Sequence, residues 1–128
     1  MGTDIHVCVE EKLFEDQDHP WHLAWTPDIW RDYDLFRLLA GVRAREDEWI
    51  IPVAEPRGLP SGVTEKTREY LDKYADHSIS WISREEFLHF FPWLQSWHEM
   101  TDFAIAGYAA VKHAMPYGTI RIVFGFDH

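Results

Sequence analysis

From Asp4 to Glu10 polar and apolar residues alternate: Ile5, Val7 and Val9 occupy one set of positions, Asp4, His6, Cys8 and Glu10 the other. Successive side chains of a strand point to opposite faces, so this period of two predicts a β-strand over 4–13 with one apolar and one polar face. Trp21, Leu23 and Trp25 repeat the pattern over 21–25 and are read as one face of a second strand. The acidic run Glu15-Asp16-Gln17-Asp18 between them reads as a turn, and the three segments predict an antiparallel hairpin. Near the C-terminus, Ile120, Ile122, Phe124 and Phe126 share one strand face, and Arg121, Val123, Gly125 and Asp127 share the other. The terminal runs are the two strongest strand signals and both need a central place, which predicts that they are neighbours. Asp4 and His6 would then share a face with Arg121 and Asp127.

Between these runs the period lengthens. Leu35, Phe36, Leu38 and Leu39 form a helical stripe, with Asp32 or Asp34 as N-cap and Gly41 suited to the left-handed position after the helix. The segment 49–53, Trp-Ile-Ile-Pro-Val, reads as a short edge strand because Pro52 cannot donate to a ladder. Two prolines and two glycines make 55–62 an ordered loop. Thr64 caps a helix running to about Tyr74, and Ser83 with Glu86 forms the capping box of another through Phe91. The stretch 76–80 between them reads as a turn and helix approach. Pro92 is expected to end the second helix. Residues 94–115 then read as the longest helix, with Ala106, Gly107, Ala110 and Ala114 small enough for close packing. The order β-β-α-β-α-α-α-β predicts an α+β fold over residues 1–128: a single domain with a small, mostly antiparallel sheet covered by helices.

Composition narrows the function. The chain has 128 residues, 46% of them hydrophobic, enough for a core, so disorder is not expected. Its formal charge of −10 argues against general nucleic-acid binding, which needs a basic footprint. It does not exclude a small anionic ligand. No apolar run has membrane-spanning length, no signal-peptide pattern opens the chain, and the single cysteine, Cys8, has no partner for an internal disulfide. A cytoplasmic protein with no membrane partner is the expectation. Seven tryptophans are many for this length. Each indole N–H needs a partner, so some are expected at a ligand pocket or at the subunit interface of a homo-oligomer.

Three segments offer chemistry. Asp4-x-His6 places two metal-ligand types on one strand face, but the further Asp, Asn and His motifs of metallophosphoesterases are absent. A structural His6 is the preferred reading, with no metal. In Asp76-His77-Ser78-Ile79-Ser80, His77 could meet His6 across space and divide acid and base work in phosphodiester cleavage. The His-x-Ser/Thr repeat of known two-histidine phosphoesterases fails here, and Ser78 and Ser80 equally suit backbone hydrogen bonds. In Pro56-Arg57-Gly58-Leu59-Pro60, a stiff loop presents Arg57 either to a phosphate or to an acidic neighbour. No phosphate-binding glycine loop or dinucleotide fingerprint occurs.

Taken together, the segments 1–10, 33–43, 56–60, 76–81 and 121–127 resemble a family of small, mostly uncharacterised bacteriophage and prophage proteins. Those begin Met-Gly-Cys-Asp-Ile-His and carry Asn-Tyr-x-Leu-Phe, Pro-Arg-Gly-Leu-Pro, His-Ser-x-Ser-Trp and Phe-Asp-Asn segments. Here Thr3, Asp32 and His128 stand in place of the usual Cys, Asn and Asn. The resemblance implies a phage accessory protein acting inside a bacterial host cell, a context in which countering host defence is common.

The leading expectation is therefore a binding protein that sequesters a small nucleotide-derived signal, with no cofactor. The alternatives are a phosphodiesterase acting through His6 and His77, and an acidic inhibitor that binds a host enzyme. The candidate ligand-binding residues are Asp4, His6, Arg57, His77, Ser78, Ser80, Trp81 and Arg121, with His6, Arg57 and His77 converging on one pocket walled by Trp81 or another aromatic.

Overall fold

A computed structural model describes residues 2–16, 18–43, 54–97 and 101–128; the strand expected at 49–53 lies outside the described residues. The sheet is built from the chain ends inward. Strand β1 (Ile5–Lys12) pairs antiparallel along its whole length with β4 (Thr119–Phe126), in the register Ile5 opposite Phe126 and Glu10 opposite Arg121. Outside them lie β2 (His22–Trp25) on β1 and β3 (His77–Ser83) on β4, giving the order β2-β1-β4-β3, all antiparallel. The expected α+β architecture and the pairing of the terminal strands are both present.

The alternation of β1 and β4 decides the two sides of the sheet. Ile5, Val7, Val9, Ile120, Ile122, Phe124 and Phe126 face the larger core. Over that face pack α1 (Tyr33–Ala40), α3 (Arg84–Trp97) and α4 (Asp102–Ala114). Cys8 and Val123 face a smaller cluster covered by α2 (Glu65–Tyr74), through Leu71, and by Leu59 of the proline-rich loop. Charged residues on this second face must therefore find partners beneath α2 and the loop.

The helix ends follow from their capping chemistry. Asp32 caps α1, accepting from the N–H groups of Asp34 and Leu35, and Gly41 closes it at φ 71°. Thr64 caps α2 through the Thr67 N–H. Ser83 and Glu86 exchange reciprocal bonds at the start of α3, 3.2 Å and 3.0 Å long.

Three expectations need correction. Residues 77–83 are a strand, not a turn; a bulge between His77 and Ser80, with Ser78 at φ 56°, interrupts the alternation that would have announced it. Pro92 lies inside α3, which continues to Trp97, and the next helix starts afresh at Asp102 behind an N-cap Thr101, so 94–115 is not one helix. Proline forfeits the bond to the residue four earlier, Leu88, whose half-exposed side marks a flank where water can take that carbonyl. Finally, Leu23 pairs with Glu10 but Trp25 with Val9, so a register shift sends these two β2 residues to opposite faces of the sheet.

Candidate functional site

The first polar cluster forms where the chain ends meet. The Asp127 N–H donates to the Asp4 carbonyl at 3.1 Å, and the Asp4 N–H donates to Asp127 Oδ1 at 2.9 Å. Asp127 Oδ2 lies 2.8 Å from His6 Nε2, and the His6 ring stacks on Tyr74. Burial pushes the Asp127 carboxyl up. The His6 hydrogen bond, the Asp4 N–H and the charges of His6 and His128 outweigh it and hold the group below the usual carboxylate range. Arg31 grips both Asp4 oxygens, at 3.0 and 3.1 Å. Thr3 is fully buried; its hydroxyl accepts from Arg43 Nε at 2.9 Å and donates to the His128 carbonyl at 3.3 Å. The result is a latch between the two ends of the chain. Among the described residues no three His, Cys, Asp or Glu side chains are placed to hold a metal ion together. Cys8, next along β1, is wholly buried, and burial first, with the Glu10 charge second, pushes its thiol up to about 12. It carries no thiolate near neutral pH.

His77 is not part of this cluster. It pairs with Phe126, which shares a face with Ile5, whereas His6 lies opposite Gly125 on the other face. The His77 ring stacks on Phe126, and its Nδ1 lies 2.9 Å from Ser78 Oγ. His6 and His77 sit at the same end of the sheet but on opposite sides, so they cannot share acid and base work on one ligand.

Arg57 is committed elsewhere. Its backbone N–H donates to the buried Ser80 Oγ at 3.0 Å, and the Gly58 N–H donates to the Ile79 carbonyl at 2.8 Å, so the loop borders β3. Its guanidinium lies over the Trp81 ring, donates to the Trp81 carbonyl, and forks onto both oxygens of Glu86. The Arg57 hydrogen bond holds the Glu86 carboxyl below its usual range against burial. Arg57, Ser80 and Trp81 thus come together as a tie between loop, strand and α3, and the pocket expected from His6, Arg57 and His77 does not form.

Arg121 is the exception. It is 5% exposed and faces Glu10, which is 0% exposed. Its Nε donates to Glu10 Oε1 at 2.7 Å, while Glu10 Oε2 accepts the Thr64 N–H at 2.9 Å. Its Nη1 donates to the Ser61 carbonyl at 2.8 Å, and the Trp21 ring covers the guanidinium at 4.1 Å. Its Nη2 is buried with no hydrogen-bond partner among the described residues. Ser61, Thr64 and Trp21 also line a pocket of about 600 Å³, with Lys12, Asp18, His19 and Glu65 around it. A second cleft, of about 640 Å³, runs between residues 29–35 and 101–103 beside the 81%-exposed Trp30. Its walls carry Asp32, Asp34 and Asp102, and its one arginine, Arg31, is held by Asp4, so it repels anions.

Arg121 stood among the sequence-based candidates, but the setting the structure gives it was not among those expectations. Glu10 was readable as its partner once the terminal strands were paired. Trp21 and Ser61 reach it from segments with no shared pattern, and nothing in the sequence marks them. No family model, curated protein or solved structure matches this chain.

Proposed function

We propose that this is a phage-type accessory protein that binds and sequesters a small nucleotide-derived signal, countering host defence inside the bacterial cytoplasm. The observation that supports the binding half of this reading is the pocket of about 600 Å³ whose wall carries Lys12, His19 and Trp21. A lysine ammonium for phosphate and an indole for a base are contacts that a nucleotide uses. The phage setting rests on the resemblance of the sequence segments described above. Sequestration is preferred to cleavage because the two histidines offered for acid–base work face apart. Exposed Trp25 and Trp30 are available for self-association into a homo-oligomer.

Native mass spectrometry of protein purified from its host cell tests this directly. The expected result is a retained nucleotide that is released unchanged on denaturation, and the same spectrum gives the oligomeric state. A chemically altered nucleotide would point to the enzyme instead. Failure to retain or bind any mono- or dinucleotide, cyclic or linear, at millimolar concentration would remove the reading.

A further inference from the structure

We infer that a separate pocket, on the opposite side of the sheet from Lys12 and independent of the reading above, binds a small organic ammonium ion with an apolar body. Val9 and Glu11 of β1, Trp25 of β2, and Ala109, Ala110 and His113 of α4 border a pocket of about 290 Å³. Glu10 and Glu11 are consecutive on β1, so they point to opposite sides of the sheet. Glu10 meets the Arg121 guanidinium and the Thr64 N–H, which occupy both of its oxygens. Glu11 has no such complement. Its side chain is 7% exposed, yet its one ion-pair partner among the described residues is the His113 imidazole, 2.9 Å from Oε2 and itself 77% exposed. Oε1 accepts no hydrogen bond from a described residue and is not shut off from solvent, so it is open to the pocket that Glu11 lines. Lys112, beside His113 on α4, lies over the Tyr108 ring instead. A carboxylate taken out of water needs a cation or several donors to offset its lost hydration. Glu11 has half of that set, and a ligand can supply the rest.

The walls select the ligand. An ammonium group brings both N–H donors and a positive charge to Oε1. A metal ion fits less well: His22 stands opposite Glu11 across β1 and β2, but Glu11, His22 and His113 are not placed to hold a metal together. Val9, Ala109 and Ala110 suit a hydrocarbon body, and Trp25, about half exposed on the same wall, supplies the aromatic surface that attracts a cation. The volume is that of roughly ten water molecules at about 30 Å³ each, so a ligand of about ten non-hydrogen atoms fills it. One carboxylate meets one charge. A polyamine leaves its further charges without a partner there, and an anion is repelled.

An NMR titration of the full chain, followed through its backbone amide signals, tests the proposal with phenethylamine, its neutral isostere phenethyl alcohol, phenylacetate, and a short peptide carrying one lysine. Phenethylamine is expected to shift the signals of Val9, Glu11, Trp25, Ala109 and Ala110, and to bind at least about tenfold more tightly than the alcohol, with no binding of phenylacetate. Glu11→Gln keeps the shape and an acceptor for His113 but loses the charge, and should weaken phenethylamine by roughly tenfold to a hundredfold. Because Glu11 is buried, two variants at exposed positions accompany it. Ala109→Leu fills the pocket from the surface of α4 and should abolish binding with the thermal midpoint unchanged. Trp25→Leu keeps an apolar wall without the ring and should weaken the amine by about twofold to fivefold, leaving the alcohol less affected. Phenethylamine binding no more tightly than the alcohol, shifts confined to other residues, or no binding at millimolar concentration to folded wild-type protein overturns the site. The lysine peptide binding more tightly than phenethylamine would make Glu11 a docking point for another protein and overturn the small-ligand assignment. None of these outcomes touches the nucleotide reading, which concerns the other side of the sheet.

Discussion

Glu10 and Arg121 are the residues at which sequence and tertiary structure are most tightly joined. Each alone on its strand would be a charge facing the wrong way. Paired across β1 and β4 they are nearly removed from solvent and held 2.7 Å apart. Taking two charges out of water costs several kcal/mol per ion, so the pair adds little net stability, but removing one partner strands the other. Arg121→Met is therefore expected to destabilise the fold by about 3–5 kcal/mol. Adding Glu10→Gln, which keeps an acceptor for the Thr64 N–H, should recover much of that loss. Urea midpoints of the two single variants and the double variant measure the coupling. A double variant as unstable as the sum of the singles would show that the pair is not the structural unit argued for here.

At the scale of elements, the packing of α3 on α4 turns on one contact. A Cβ placed on Gly107 would lie 2.3 Å from Cε1 of the fully buried Phe87 ring. Helix propensity alone favours Ala over Gly by roughly 1 kcal/mol. Overpacking a core typically costs about 1–3 kcal/mol, and Phe87 has no flexible end with which to yield. The clash should win, so Gly107→Ala is expected to lower the thermal midpoint, whereas Phe87→Leu should lessen the effect of the same substitution. Small residues on α4 were legible as a sign of close packing, but their partner was not. The expected break at Pro92 hid the fact that Phe87 and Leu94 belong to one helix.

For the molecule as a whole, acid should act at two joints. Asp127 in the terminal latch and Glu86 beneath Arg57 both titrate below their usual range in the folded chain. As pH falls the unfolded chain takes up these protons first, so the stabilisation is complete above the unfolded carboxylate range and is lost as pH drops through the folded values. The melting temperature should therefore decline below about pH 5. In Asp127→Asn and Glu86→Gln the decline should be shallower, and the variants should approach wild type in acid. Differential scanning calorimetry across pH 2–7 follows this, and parallel curves for wild type and variants would contradict it.

Period and caps alone determined the terminal strands, their faces, the Thr64 and Ser83–Glu86 helix starts, and the Gly41 stop, and narrowed the α1 cap to Asp32 or Asp34. These depend on residues within a turn or two of one another, so local sequence suffices. The β1–β4 neighbourhood followed because two strands with matching apolar faces both need the centre of the sheet. Tertiary structure alone decided that Arg57 of the loop meets Glu86 of α3, while Arg121 keeps one donor without a partner among the described residues. Arg57 and Arg121 look alike along the chain, but one lies within reach of Glu86 across 29 positions and the other is half-satisfied by Glu10 across 111. It also decided that His6 and His77 part company, because a single bulge in β3 sets which side of the sheet His77 takes. Side-chain direction in a strand reverses with every residue, so the insertion of one residue outweighs any pattern that the linear sequence displays.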